Sequence, residues 1–167
     1  MIGSIFYHSP SLSVKRGVIS SFWRFSEVQH IAISVSDMEK ALEFYSGLLG
    51  LEVMMDMELE NEPTIQAMFG LKEIKMRYVL FSGKGARLNL LEFKNPRGKN
   101  LAKKLRPYDH AIHHLAFVVD DVEAAYRELS AKGVEFICPP QDVGLAKAST
   151  MRGPDGVSIE LFQLPMS

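Results

Sequence analysis

Two histidines stand at matched places in this sequence. His30 opens His30-Ile31-Ala32-Ile33-Ser34-Val35, and His114 opens His114-Leu115-Ala116-Phe117-Val118-Val119, 84 positions later. A neutral imidazole can hold a divalent metal, carry a proton near neutral pH, or serve as a hydrogen-bonded part of the structure. A lone histidine at a strand start most often does the last of these. Two at equivalent positions point to shared chemistry. His113 precedes His114 and, by strand alternation, faces the other way, which reads as structural. His8 and His110 carry no pattern.

The histidines belong to a longer repeat. At the same offset Asp37 matches Asp121 and Ala41 matches Ala125; Leu51-Glu52-Val53 matches Val134-Glu135-Phe136 at an offset of 83. A strand, a helix and a second strand are written twice, and the unit is too long for a solenoid. Alternation and β-branching predict strands over 28–35, 51–58, 73–81 and 86–93 in the first copy. The second copy has them over 112–119, 134–137, 145–151 and 157–164. Helices are predicted over 38–49, capped by Asp37 and ended by Gly50, and over 121–132, closed by Gly133. A short helix over 64–69 precedes Gly70, another is expected near 99–105, and Pro139-Pro140 reads as a loop. Each copy is therefore β-α-β-β-β. Ile31, Ile33, Val35, Leu115, Phe117 and Val119 face the helices. His30, Ala32, Ser34, His114, Ala116 and Val118 share the opposite faces, which line one cavity if the sheets pair.

The domain boundaries follow: an arm over 1–27, a first module over 28–93, a linker over 94–111 and a second module over 112–165. The arm is rich in serine and basic residues, with no acid before Glu27. That composition leans weakly toward a transit peptide, and the plainer reading is an arm lying on the domain or on a partner subunit. The 167 residues suit one domain. A net charge of −1 gives no footprint for nucleic acid or an anionic membrane. No apolar run approaches a membrane span. One cysteine, Cys138, excludes an intrachain disulfide and a cysteine-rich zinc site. A cytoplasmic protein acting on a small molecule is expected.

The repeat resembles the vicinal-oxygen-chelate superfamily, which includes glyoxalase I, methylmalonyl-CoA epimerase, extradiol dioxygenases and bleomycin-resistance proteins. The resemblance rests on His-Ile-Ala-Ile, on His-Leu-Ala-Phe-Val-Val-Asp-Asp and on Gly-Pro-Asp-Gly-Val-Ser-Ile-Glu-Leu, and covers residues 28–165. It implies an α+β fold whose two modules form a paired, open eight-stranded sheet around a metal cavity. It also implies a metal held by His30, His114, Glu160 and a fourth residue on the last strand of the first copy. Registering that strand on Ile159-Glu160-Leu161-Phe162 puts Asn89 opposite Glu160, where glyoxalases and epimerases usually have Glu or Gln. Glu92 is the obvious substitute, but parity argues against it, since turning it inward would turn Leu88 and Leu90 with it; Asn89 keeps the fourth position as a weak ligand or as a partner of bound water or substrate. Two imidazoles and a carboxylate suit iron, manganese, nickel, cobalt or zinc, one ion per site.

The resemblance implies a metal-dependent lyase or isomerase that moves a proton next to a carbonyl, with Glu160 as base and Glu58 or Glu60 as a second one. An iron-dependent ring-cleaving dioxygenase is the alternative, weakened because Thr150 stands where such enzymes carry a tyrosine. A metal-free ligand-sequestering protein is the third reading. A homodimer is expected, since many relatives pair and some exchange modules. Met68, Phe69 and Leu71 are candidates for a lid, though such residues are more often core. Lys103, Lys104 and Arg106 read as a solvated face rather than a phosphate site.

Overall fold

The structure is a computed structural model and describes residues 27–83 and 86–165. The N-terminal arm lies almost wholly outside the described residues. The first module runs β1 (His30–Ser34), α1 (Met38–Leu42), β2 (Val53–Glu60), α2 (Pro63–Phe69), β3 (Lys75–Phe81) and β4 (Arg87–Asn95). The second runs β5 (Leu115–Val118), α3 (Val122–Ala131), β6 (Phe136–Asp142), β7 (Lys147–Arg152) and β8 (Ser158–Gln163). The α+β class and the repeated β-α-β-β-β unit are as the sequence predicts. The eight strands divide into two four-stranded sheets, ordered β1-β4-β3-β2 and β5-β8-β7-β6. In each, the first strand lies parallel to the last and the other pairs are antiparallel.

The caps form for the expected reason. Asp37 accepts from the Lys40 backbone N–H at 3.2 Å and Asp121 from that of Ala124 at 2.9 Å, each satisfying a donor the first turn leaves open. The first helix does not stay α-helical to Leu49. It widens into a π-helix over Glu43–Leu48, which hydrophobic spacing does not reveal. In the linker, the helix expected near 99–105 shrinks to a single 3-10 turn, Ala102–Lys104. Pro139 and Pro140 lie inside a strand rather than a loop. β6 is the edge of its sheet, and the register slips between Cys138 and Gln141. An edge strand with a bulge tolerates residues that cannot donate to the ladder.

One apolar cluster runs through both modules. It takes Val35, Met38, Ala41, Tyr45, Leu88 and Leu90 from the first and Val122, Leu129, Met151, Ile159 and Leu161 from the second. The helix-side faces therefore share a core, and burying it drives assembly of the chain. A polar clamp reinforces the junction. The Asp155 carboxylate accepts from the Ser36 N–H at 2.7 Å, the Ser36 hydroxyl at 2.6 Å and the Asn100 amide at 3.0 Å. Asp155 sits in the Gly-Pro-Asp-Gly turn with a left-handed φ of 59°, a conformation Asp tolerates better than most residues. The opposite faces do not meet. His30, Ala32, Ser34, His114, Ala116 and Val118 are all exposed.

Candidate functional site

The second module builds the tighter constellation. Glu160 on β8 lies beside Ala116 in the parallel ladder with β5. His114 immediately precedes β5, two residues before Ala116, and shares its face. Its Nε2 is 3.5 Å from Glu160 Oε2, with both side chains partly exposed. That separation exceeds a charge-assisted hydrogen bond, so the two groups flank a point rather than close on each other. His114 Nδ1 lies 2.8 Å from His113 Nδ1. One ring nitrogen can donate to the other in this contact, which engages Nδ1 of His114 and leaves its Nε2 toward Glu160. His113 does not face away from His114, as alternation suggested, because β5 begins only at Leu115 and the pleat does not reach either histidine.

The first module repeats this device. The Gln29 amide oxygen accepts from His30 Nδ1, which leaves the lone pair on Nε2. Gln29 and His113 occupy the same position of the repeat, 84 residues apart. Each copy thus orients its histidine with the preceding residue. The sequence carried that signal, and the repeat alignment extended by one position would have exposed it.

Asn89 lies beside Ala32 of β1 and Leu80 of β3. It is buried, 2% exposed, and its Oδ1 has no hydrogen-bond partner among the described residues. An orphaned buried acceptor costs about 1–3 kcal/mol and so invites a donor or a cation. Its neighbours Leu88 and Leu90 belong to the core beneath the helix, which sets Asn89 on the outer face. Glu92 pairs with Arg77 on the core side, away from Asn89.

The structure does not gather all of these groups. Among the described residues, no three His, Cys, Asp or Glu side chains of one chain converge closely enough to hold a metal. His114 and Glu160 stand together on one sheet; His30 and Asn89 belong to the other. Glu58 and Glu60 are placed against a role as second base. Met57 pairs with Tyr78, which pairs with Leu91, so Met57 shares the Asn89 face and alternation turns Glu58 and Glu60 to the other. There Glu58 pairs with Lys94 at 2.6 Å and Glu60 with Lys75 at 2.8 Å. The hydrogen bond from Lys94 also holds the Glu58 carboxyl below its usual range, the wrong direction for a base working near neutral pH.

The other candidates find plain positions. Leu71 and Ile65 cover Ile74, Met76 and Leu91, so the α2 segment seals part of the outer face of the first sheet. Phe69 stacks edge-on against Phe93 at 5.3 Å, while Met68 stays 74% exposed. Arg106 pairs with Asp109 at 2.8 Å and lies over the Tyr108 ring, which fits a surface contact.

Comparison with known proteins follows the same lines. The sequence profile of the Glyoxalase/Bleomycin resistance protein/Dioxygenase superfamily matches residues 27–161. The chain is 26% identical to the human mitochondrial methylmalonyl-CoA epimerase over 127 residues, 76% of this chain and 65% of that protein. It therefore spans just under two thirds of that relative. It is also 26% identical to lactoylglutathione lyase of Schizosaccharomyces pombe over 152 residues, 81% of this chain and 46% of the enzyme. In three dimensions it resembles a glyoxalase family protein from Bacillus cereus, with a TM-score of 0.77 at 16% identity, covering 86% of this chain and 97% of the other. It resembles glyoxalase I of Leishmania major at a TM-score of 0.59 and 20% identity, covering 83% and 87%.

Proposed function

From the premise that the chain belongs to the Glyoxalase/Bleomycin resistance protein/Dioxygenase superfamily, we propose that it is a metal-dependent isomerase or lyase that moves a proton next to a carbonyl of a small substrate. The observation that carries this reading is the pair His114 and Glu160, 3.5 Å apart on an open sheet face, with a second oriented histidine at the equivalent place in the other module. We further propose that one site draws on two copies of the chain. His114 and Glu160 come from one copy, His30 and Asn89 from the other, and the protein works as a homodimer.

The donor set fits a divalent ion. It offers two imidazole Nε2 lone pairs, one carboxylate and the orphaned Asn89 oxygen. A set of that kind suits iron, nickel, cobalt, manganese or zinc. When bound, the ion supplies Lewis acidity for an oxyanion next to the carbon that loses its proton. The remaining work falls to the chain. Gln29 and His113 fix the two rings by their Nδ1 atoms. Glu160 takes the proton from the carbon beside the carbonyl at a carboxylate oxygen and returns it. Ala32, Ala116 and Val118 leave the floor of the site low and apolar, with room for substrate between the faces.

The test is complementation between two inactive variants. His30→Ala and His114→Ala protein are each loaded with metal and assayed by NMR for exchange of the acidic proton of an acyl thioester or hemithioacetal in deuterated water. Each alone should be inactive. Mixed and reassociated, they should regain about a quarter of wild-type activity, because half of random dimers are mixed and each mixed dimer holds one intact site. No recovery would place the site within one chain. Oxygen uptake with a catechol in place of exchange would move the chain to ring-cleaving chemistry, and tight ligand binding with neither activity would make it a sequestering protein.

A further inference from the structure

A cavity of about 540 Å³ opens where β1 and β4 end against the linker. Its walls combine apolar Val35, Phe93 and Leu101 with the cations Arg97 and Lys99. The Asp155 clamp closes one side. That carboxylate accepts from Ser36 and Asn100 and keeps its negative charge, so the two cations outweigh it by one. Arg97 and Lys99 make no ion pair among the described residues, unlike Lys75, Lys94 and Arg106. The cavity is therefore half apolar and electropositive, with its cations unspent.

Position gives the cavity a purpose. Ser34, on its wall, lies two residues along β1 from Ala32, the neighbour of Asn89. At about 3.3 Å per residue along a strand and about 4.8 Å between strands, Ser34 lies roughly 8 Å from Asn89 on the outer face. A molecule whose carbonyl lies at Asn89 can lay its other end into the cavity without leaving the sheet surface. We infer that this cavity holds the far end of the substrate, and that the substrate is an amphipathic anion: an apolar arm ending in a phosphate or carboxylate, with Arg97 and Lys99 on the charged group and Phe93 and Leu101 on the arm. The volume suits a small-molecule site. This inference rests on reading the Asn89 face as the reactive one.

The experiment uses full-length protein and three simple probes: hexyl phosphate, inorganic phosphate and hexanol, each titrated calorimetrically, with hexanoate to separate a phosphate preference from a carboxylate one. Hexyl phosphate or hexanoate should bind at least tenfold more tightly than phosphate or hexanol, because only they use both walls. The double variant R97E/K99E, at exposed positions that leave the core untouched, should lose that binding at least tenfold. Leu101→Ser should weaken it without changing the salt dependence. Ser34→Trp, which fills the mouth, should do the same by exclusion. Equal affinity for hexanol, or full binding by both R97E/K99E and Ser34→Trp, would overturn the assignment. A separate arm keeps the two readings apart. His114→Ala should bind hexyl phosphate normally while losing metal, and R97E/K99E should keep metal by elemental analysis.

Discussion

The two modules share a plan and differ in what they do with its outer face. In the second, Glu160 and His114 stand partly exposed and close together. In the first, the equivalent of Glu160 is a neutral Asn89, buried with an unpaired oxygen, and α2 seals part of the same face. The difference sits in the connection between the second and third strands. In the first module it carries α2; in the second it is a tight turn in which the Val143 N–H bonds to the Ala146 carbonyl. The second copy presents a carboxylate on its outer face, and the first presents a buried amide beside the cover of α2.

The largest loss is expected at His114 and Glu160. His114→Ala or Glu160→Gln should lower proton exchange by about 10²–10⁴-fold, the span of a general base, with loss of metal measured alongside. A core change is next in size. Leu90→Ala empties a fully buried position and should cost about 2–5 kcal/mol in a denaturant titration. His113→Ala should weaken metal binding about 10–100-fold, as removal of a partner that orients a ligand does, and Gln29→Ala should do the same in the first module. If only one of the two matters, the modules are less alike than their repeat suggests. Asn89→Glu gives the first copy the second copy's carboxylate. Metal should bind more tightly, and unchanged affinity would remove Asn89 from the site.

The smallest effect concerns Tyr45. Burial, and then the nearby Asp155 charge, push its phenol well above the usual tyrosine range. Below about pH 10 the folded and unfolded chains both keep the proton. Above that, the unfolded chain releases it and the folded chain does not, so stability falls as pH climbs toward the raised folded value. Tyr45→Phe removes a hydroxyl with no partner among the described residues and should shift neutral-pH stability by less than about 1.5 kcal/mol while flattening the alkaline decline.

The repeat made the strands and helices legible, because period-two and helical spacing survive in both copies. Parity alone set Asn89 and Glu92 on opposite faces of β4, since a strand cannot turn one residue without its neighbours. Features set by register and long-range packing were not legible. Glu58 looked available because acidity says nothing about facing; its register against Arg77 and its bond to Lys94 decide that. Pro139 and Pro140 read as a loop because edge position is a property of the sheet. The sharing of one core by the two helix faces, with the outer faces left apart, depends on long-range packing that no local pattern encodes.

The four outer edges of the two sheets carry unequal protection against runaway growth into fibrous aggregates. Two prolines and a register slip blunt β6. Asp56, Glu58 and Glu60, with a bulge between Val53 and Met55, do the same for β2. Such devices are how sheets avoid recruiting strange strands. β1 and β5 contain no proline, aspartate, glutamate, lysine or arginine, and their sequences are short and largely apolar. Whatever strand-to-strand stickiness this protein has is therefore concentrated on the two edges that bear the histidine-led motifs. Crowding or partial unfolding should expose it there first.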